Sequence, residues 1–242
     1  MSGYVYKELE CIFEEMGYIQ TVQEKFDRLL NACLFIYRFN PTKEEQKEFI
    51  DTVQGTNGQL YIKAMQLIFN DSEGMHDAIG DFFQSIISRH SNSQFFTPEC
   101  VSDLSALVVM GKNNIKEGMS VCDPSVGSGR MLLSAAKFAG KDKHKLHYYG
   151  VDIDLRCIKI ALLNLCMHSL RGELVWGDSL ALTCNKSFYF DNVRMTDGMI
   201  ATLWTTRNTT HLFDRYNKVV CNKMTEVEKI KTKQEFQQLT LF

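Results

Sequence analysis

The feature that most constrains the fold is a regular alternation of short apolar runs with helical stretches in the second half of the chain. Apolar runs of strand length are separated by stretches of helix length, and a glycine-rich turn follows the first run. Strands that alternate with helices along a chain form a parallel sheet with helices packed on its faces. The sequence therefore predicts an α/β fold with a doubly wound parallel sheet. In chain order, the predicted elements are the strand Met119–Cys122, the helix Arg130–Ala139, the strand His147–Val151, the helix Leu155–Leu170 and the strand Glu173–Trp176.

The first ninety residues, in contrast, have only helical patterns. Apolar residues recur at three-to-four spacing over residues 6–16 and again over residues 22–36. The pair Asn40-Pro41 predicts the start of a further helix, because Asn can cap a helix and Pro suits its first turn. We therefore predict three parts: a helical N-terminal domain over residues 1–90, an α/β domain over residues 91–228 and a tail over residues 229–242.

Composition excludes some classes of protein. The 242 residues include 27 basic and 29 acidic side chains, so the net charge of −2 excludes a strongly basic, histone-like protein but not a local basic surface. The longest apolar stretches have about five residues, far fewer than the ~20 that a membrane helix needs. The eight cysteines form no C-x-x-C pair, and no histidine completes a zinc pattern. The sequence thus predicts free thiols in a cytoplasmic protein, with neither a metal site nor a membrane segment.

The glycine-rich turn, residues 123–129, reads Asp-Pro-Ser-Val-Gly-Ser-Gly and lies between a predicted strand and a predicted helix. Gly127 and Gly129 permit positive φ and a close approach of the backbone to a ligand. The helix that begins at Arg130 presents free N–H groups. Asp123 at the strand end suits hydroxyl groups or an ammonium group and would repel a phosphate. A structural turn without a ligand is the alternative, because a G-x-G pair alone is a weak signal.

Two further acidic residues follow the next two strands. Asp152 comes at the end of the second strand and Asp178 after the third. Ligands of open parallel sheets bind beyond the carboxyl ends of the strands, where an acid after the second strand is placed to bind ribose hydroxyls. Asp154 is better explained as the N-cap of the next helix. Three acids lie at this edge, and no phosphate-binding lysine accompanies them. This favours an adenosine-like ligand that has no phosphate and carries a cationic centre.

Five segments together carry a resemblance to a known family. They are Gln94-Phe-Phe-Thr-Pro98, Asp123-Pro-Ser-Val-Gly-Ser-Gly129, Gly150-Val-Asp152, Ala161-Leu-Leu-Asn164 and Gly177-Asp178. In this order they resemble the N6-adenine DNA methyltransferases, and among these the methylation subunit of type I restriction-modification systems. The resemblance covers roughly residues 75–225, and the helical N-terminal part is also similar to that of these subunits. It implies a Rossmann-like, S-adenosylmethionine-dependent methyltransferase fold and methyl transfer to the exocyclic amine of adenine in DNA.

The resemblance also implies roles for residues of this chain. The segment Phe96-Thr-Pro98 and the glycine-rich turn would wrap S-adenosylmethionine, with Asp123 and the turn holding its methionine part. Asp152 would bind the ribose hydroxyls and Asp178 the adenine amino group. The implied cofactor residues are Phe96, Thr97, Pro98, Asp123, Ser125, Gly127, Gly129, Asp152 and Asp178. DNA would be the substrate, and a DNA-recognition or sheet-completing subunit a partner.

The catalytic motif of the family is only partly present. In the family, an Asn or Asp precedes Pro-Pro and an aromatic residue, and this aromatic ring stacks on the flipped adenine. The aligned segment here is Asn222-Lys-Met-Thr225, so Asn222 is the candidate catalytic residue. The alternative is that residues 218–221 form an ordinary strand and Asn222 its turn. The predicted sheet of about four strands also has an unfinished edge. A non-catalytic relative that regulates or completes an active partner is therefore a second hypothesis, and a methyltransferase acting on a small molecule or a protein is a third.

The last five residues, Gln238-Leu-Thr-Leu-Phe242, resemble the short peptide with which bacterial polymerases and repair proteins bind the sliding clamp. Their side chains would supply one hydrogen bond and an apolar anchor to that partner. The alternative is that this terminus packs on the core of its own chain. The candidate clamp-binding residues are Gln238, Leu239, Leu241 and Phe242.

Overall fold

The computed structural model describes residues 2–87, 95–110, 115–194 and 200–213. The chain divides into one compact unit, residues 1–208, and a second unit, residues 209–242. In the described part of the second unit, the hydroxyl of Thr210 accepts the N–H of Leu212 at 3.0 Å. Three predictions lie outside the described residues: the domain boundary at residue 90, the candidate Asn222, and the tail with its clamp-binding residues.

Helices make up the N-terminal part of the larger unit, as the apolar spacing predicts. Two of them begin with capping boxes, at Thr21 and at Thr42. In each box the threonine hydroxyl accepts the N–H of the glutamate three residues later, and the carboxylate of that glutamate accepts the N–H of the threonine. The prediction that Asn40 caps a helix is wrong, since Thr42 is the cap and Asn40 has a φ of 49°. These helices are α1 (Ser2–Glu15), α2 (Val22–Phe35), α3 (Lys43–Gln54), α4 (Gly58–Asp71) and α5 (Ala78–Ile87).

A five-stranded sheet forms the second layer. Its strands are β1 (Ser120–Asp123), β2 (His147–Asp152), β3 (Gly172–Asp178), β4 (Thr183–Arg194) and β5 (Ile200–Arg207), and they neighbour each other in that order. The first three strands are parallel, which confirms the predicted α/β sheet. β4 and β5 form an antiparallel hairpin on the β3 side, so the sheet is mixed and the prediction of a wholly parallel sheet is wrong. The predicted strand at residues 218–221 lies outside the described residues. Within the described residues β1 and β5 are the outer strands, and the unfinished edge stays a prediction.

The hairpin escapes prediction because polar residues interrupt its alternating pattern. In β4, Phe188 and Phe190 are buried, but Lys186, Asp191 and Asn192 flank them. Charged and amide residues are depleted in strands, so they weaken the signal that two buried phenylalanines would otherwise give.

Three further helices connect the elements of the sheet. They are α6 (Glu99–Met110), α7 (Arg130–Ala139) and α8 (Leu155–Met167). α7 joins β1 to β2 and α8 joins β2 to β3, as right-handed crossovers between parallel strands require. α8 is buried over most of its length because it contacts the sheet as well as α2 and α5. The core of the larger unit is therefore centred on α8.

The N-terminal helices are attached to α8 and to the hairpin by polar contacts as well as by packing. The guanidinium of Arg156 in α8 donates to both carboxylate oxygens of Asp27 in α2, at 2.6 and 2.7 Å. The indole N–H of Trp204 in β5 donates to the carbonyl of Leu34 at 2.8 Å. Helices and sheet share one hydrophobic core, while their division into two domains stays a prediction.

No helix in the part of the chain that the structure describes is long and apolar enough to cross a membrane. The same described residues contain no group of three His, Cys, Asp or Glu side chains placed to hold a metal ion. The seven cysteines among them are free.

β2 lies close beneath the glycine-rich turn because Gly150 has no side chain. A Cβ at this position would lie 2.7 Å from Cγ2 of Val126 and 2.8 Å from Cδ2 of Leu174. The turn is also bonded to the strand, since the N–H of Val126 donates to the carbonyl of Val151 at 2.9 Å. The position of the turn thus depends on close packing at Gly150.

We expect Gly150→Ala to lower the free energy of unfolding by about 1–3 kcal/mol, the usual cost of forcing a methyl group into a packed core. Denaturant unfolding followed by circular dichroism measures this change. Val126→Ala removes one of the two opposing side chains, so the double variant should lose less stability than the sum of the two single losses. Strictly additive losses would contradict the packing argument.

Candidate functional site

A cavity of about 560 Å³ opens where β1 ends, between the glycine-rich turn, α6 and α7. We call it the turn cavity. Its volume lies within the ~300–1,000 Å³ typical of small-molecule sites. Five of the nine predicted cofactor residues line it together: Phe96, Thr97, Asp123, Ser125 and Gly127. The structure thus brings together two segments that are separated by about 25 residues in the sequence.

The glycine-rich turn is shaped to approach a ligand with its backbone. Asp123 Oδ1 accepts the N–H of Ser125 at 3.0 Å, which tightens the turn. Gly127 has a φ of 52°, and a Cβ there would lie 3.2 Å from the ring of Phe96. Pro124 and Ser125 are exposed at the rim of the cavity. A side chain at Gly127 would therefore strain the turn and displace the Phe96 ring.

The electrostatics of the turn cavity favour a cation. Burial raises the pKa of Asp123 above its ordinary value, and the charge of Asp152 raises it further, while the hydrogen bond from Ser125 opposes both. The carboxylate is thus incompletely compensated by its described neighbours. A positively charged group in the cavity would lower its electrostatic cost.

Asp152 adjoins the turn cavity without lining it. Its Oδ2 accepts the N–H of Gly127 at 2.9 Å and its Oδ1 accepts the N–H of Asp154 at 2.9 Å. Each carboxylate oxygen has a second acceptor position, so Asp152 can both fix the turn and bind a hydroxyl. Asp154 caps α8 through the N–H of Arg156 at 2.7 Å, as the sequence predicts.

Pro98 and Gly129 lie beside the turn cavity and have clear structural roles. The carbonyl of Pro98 accepts the N–H of Ser102 at 3.0 Å and so begins α6. Gly129 has a φ of 85°, and a Cβ there would lie 3.1 Å from that of Ala161. Their contact with a cofactor stays a prediction.

Asp178, at the end of β3, is also outside the turn cavity. Its Oδ1 accepts the N–H groups of Ala181 and Leu180 at 3.0 and 2.8 Å. These two hydrogen bonds lower the pKa of Asp178. The carboxylate closes a turn and keeps Oδ2 available, so its role toward an adenine amine stays a prediction.

Four buried polar residues behind the turn form a cluster that was not predicted from the sequence, although two of them, Ser128 and Asn164, lie in segments that carry the resemblance. Oδ2 of Asp77 accepts hydrogen bonds from the hydroxyl of Ser128 and from Nε of Arg130, the latter at 3.2 Å. Its Oδ1 accepts from the amide of Asn164 at 2.6 Å and from the N–H of Gly80 at 2.9 Å. We call Asp77, Ser128, Arg130 and Asn164 the Asp77 cluster; none of them is more than 7% exposed.

Arg130 connects the Asp77 cluster to the turn cavity. Its Nη1 donates to the carbonyl of Thr97 at 3.0 Å, and its Nη2 pairs with Asp81. Burial acts to lower the pKa of Arg130, but the charges of Asp77 and Asp81 outweigh it and raise the pKa. One guanidinium therefore joins α5, the Phe-Thr-Pro segment and the glycine-rich turn.

The sequence contains only faint signs of this cluster. Asp77 directly precedes α5 and resembles an ordinary cap, since it also accepts the N–H of Gly80. Asn164 stands out as an amide among the apolar residues of α8, but its partner lies 87 residues away. A buried amide in a helix predicts some polar partner without indicating which one.

Comparison with known proteins gives the site its context. A profile of the N-6 DNA methylase family matches residues 74–229, which is more than half of the chain. The chain belongs to this family. The match includes the turn cavity and all four residues of the Asp77 cluster. It confirms the resemblance that the five sequence segments indicate.

Relatives of this chain are named as subunits of type I restriction enzymes. The MpnII methylase subunit of Mycoplasma pneumoniae is 34% identical over 101 residues, which cover 39% of this chain and 18% of the relative. The MjaVII methylase subunit of Methanocaldococcus jannaschii is 27% identical over 177 residues, covering 65% and 30%. A solved type I methyltransferase subunit from Streptococcus thermophilus has 21% identity and a TM-score of 0.35, covering 47% and 26%. The matches thus span less than a third of these curated relatives.

Membership of the N-6 DNA methylase family implies S-adenosylmethionine as the cofactor, and the residues present fit it. The turn cavity has room for a small molecule, the Phe96 ring provides an apolar wall, and the Asp123 carboxylate suits a cationic group. A Cβ at Gly127 would meet that wall, so the glycine keeps the space open.

We expect Asp77→Asn to lower the free energy of unfolding by about 3–5 kcal/mol, because the amide cannot compensate the buried Arg130 charge. Chemical denaturation measures the loss. Asp103→Asn is the matched control, since the pair of Asp103 with Lys137 is partly exposed and should be worth about 1 kcal/mol or less. Equal, small losses in both variants would contradict the role of the Asp77 cluster.

Proposed function

We propose that this chain is the cofactor-binding and methyl-transferring part of a DNA adenine-N6 methyltransferase. The observation that carries the proposal is the turn cavity, in which the Phe-Thr-Pro segment faces the glycine-rich turn. It lies within the region that matches the N-6 DNA methylase family. The methyl acceptor would be the exocyclic amine of adenine in DNA.

The proposed division of roles in the cofactor site follows from charge and position. S-adenosylmethionine, when bound, supplies an activated methyl group. Asp123 would attract its cationic methionine part, and the turn backbone would fix that part in place. Asp152 would accept hydrogen bonds from the ribose hydroxyls, and Phe96 would cover the ligand from the α6 side. Orienting the methyl group toward the amine is the main contribution that such a site makes to the rate.

Asn222 is the proposed acceptor for a hydrogen of the adenine amine, and it lies outside the described residues. Lys223, Met224 and Thr225 stand where the family has two prolines and an aromatic residue. Loss of the ring removes base stacking worth about 1–3 kcal/mol. We therefore expect slow transfer, and a non-catalytic relative is the competing reading that the assay below separates.

DNA and a DNA-recognition subunit are the proposed partners, supported by relatives that are named as subunits of type I restriction enzymes. These comparisons do not support the sliding clamp as a partner. That prediction rests only on residues 238–242. A cytoplasmic location is proposed because the described cysteines are free thiols.

Cofactor binding is tested by calorimetric titration with S-adenosylmethionine. We expect the wild-type chain to bind and Gly127→Ala to bind at least about tenfold more weakly, because its Cβ meets the Phe96 ring at 3.2 Å. Gly140→Ala is the matched control: its φ of 56° gives similar backbone strain, but no atom lies within 4 Å of its Cβ. Equal affinity of the two variants would overturn the assignment of the turn cavity.

Methyl transfer is tested with S-adenosylmethionine labelled in its methyl group and adenine-containing DNA, with and without a candidate DNA-recognition subunit. We expect label in the N6 position of adenine and a loss of at least about tenfold in Asn222→Ala, since one aligned polar group is typically worth more than that. Unchanged binding of S-adenosylmethionine by this variant shows that it is folded. Cofactor binding by the wild-type chain without any transfer, even with the partner, would establish the non-catalytic relative.

A further inference from the structure

A second cavity of about 370 Å³ lies between the N-terminal helices and the sheet, away from the turn cavity. Its roof is formed by α2 and α3, one side by α8, and its floor by β3, β4 and β5. We call it the lysine cavity. None of its lining residues is a predicted cofactor residue. Its volume is within the range of small-molecule sites.

The floor of the lysine cavity is aromatic. Trp176, Phe188 and Trp204 point to the same face of the sheet. The indole N–H of Trp176 donates to the carbonyl of Ile153 at 3.0 Å, and that of Trp204 to the carbonyl of Leu34 at 2.8 Å. These hydrogen bonds fix the orientation of both indoles. The guanidinium of Arg38 already lies over the Trp204 ring, 4.5 Å from its centroid, so Trp176 is the indole that can face a base.

The cavity also contains two lysines. Lys186 stands opposite Trp176 in the β3–β4 register, and its ammonium group has no hydrogen-bond partner among the residues that the structure describes. Lys159 donates to Oδ1 of Asn31 at 2.8 Å, a neutral partner. Burial lowers the pKa of Lys159. The negative charges of Asp27 and Glu48 act to raise this pKa, whereas the positive charge of Lys186 lowers it further. Both lysines thus line one cavity, and neither ammonium group pairs directly with a carboxylate among the described residues.

The acidic side chains of the lysine cavity already have ion-pair or hydrogen-bond partners. Glu45 pairs with Arg38 at 3.1 Å and caps α3 through Thr42. Glu48 accepts a hydrogen bond from the Asn31 amide at 2.8 Å. Three basic and two acidic side chains line the cavity, so one positive charge is in excess. An anionic group would complete this charge balance.

From this juxtaposition we propose that the lysine cavity binds a free nucleoside monophosphate, with its phosphate between Lys159 and Lys186 and its base against the indole of Trp176. A phosphate needs cationic donors and a base needs a flat aromatic surface. The cavity presents both within one small volume. The proposal is independent of methyl transfer and concerns a site separate from the turn cavity.

Tryptophan fluorescence tests the proposal directly, because both tryptophans of the chain line this cavity. Titration of the full chain with adenosine monophosphate should quench the emission saturably. Adenosine lacks the phosphate and ribose 5-phosphate lacks the base, so each should bind at least about tenfold more weakly. Saturating S-adenosylmethionine should leave the affinity for adenosine monophosphate unchanged, which keeps the result separate from the cofactor site.

Variants identify the groups involved. Lys186→Met keeps the aliphatic stem and removes the charge, so it should weaken the binding of adenosine monophosphate about tenfold. Lys141→Met, an exposed lysine outside the cavity, is the control and should bind as the wild type does. If Lys186→Met fails to fold, Lys159→Met serves the same purpose and should show the same loss.

Three results would overturn the proposal. Emission that does not respond to adenosine monophosphate up to millimolar concentration would exclude the site. Equal binding of ribose 5-phosphate would show that the aromatic floor does not recognise a base. Binding of a 5′-phosphorylated oligonucleotide in preference to adenosine monophosphate would assign the surface to a nucleic-acid end instead.

Discussion

The arrangement of the candidate site depends on one buried carboxylate. Asp77 accepts hydrogen bonds from the glycine-rich turn through Ser128, from α7 through Arg130 and from α8 through Asn164. Burial raises the pKa of Asp77, while the charge of Arg130 and the hydrogen bonds from Ser128 and Asn164 oppose this. Removing one partner of a buried ion pair is costly, because the other charge stays buried without compensation. Here those partners belong to separate elements, so the carboxylate determines where the cavity walls meet.

This constraint explains what sequence reasoning can and cannot recover. The parallel strands β1–β3, the helices between them and the turn at residues 123–129 follow from local patterns, because periodicity and glycine spacing act over a few residues. The Asp77 cluster does not, because its four members look locally like a helix cap, a turn residue, the first residue of a helix and an amide in an apolar helix. Only the three-dimensional structure pairs Asp77 with Asn164 in α8. Long-range polar pairing leaves almost no trace in a single sequence.

The hairpin β4–β5 shows a different limit. Its alternation is interrupted by polar residues, yet Phe188 and Trp204 form part of the floor of the lysine cavity. Lys186, which weakens the strand pattern, is also the basic residue that makes this cavity suitable for an anion. Residues that depart from the pattern of a strand are often those with a role beyond packing. The lysine that makes the strand hard to predict is therefore also part of the candidate ligand site.

The residues proposed for cofactor binding and the residue proposed for transfer belong to different parts of this chain. The predicted cofactor residues and the Asp77 cluster are linked by hydrogen bonds and close contacts within the larger unit. The candidate for the transfer step, Asn222, belongs to a segment in which the prolines and the aromatic residue of the family motif are replaced. The replaced positions are not among the predicted cofactor residues. We therefore expect substitution in this segment to weaken transfer more than cofactor binding, because the predicted cofactor residues contact one another within the larger unit.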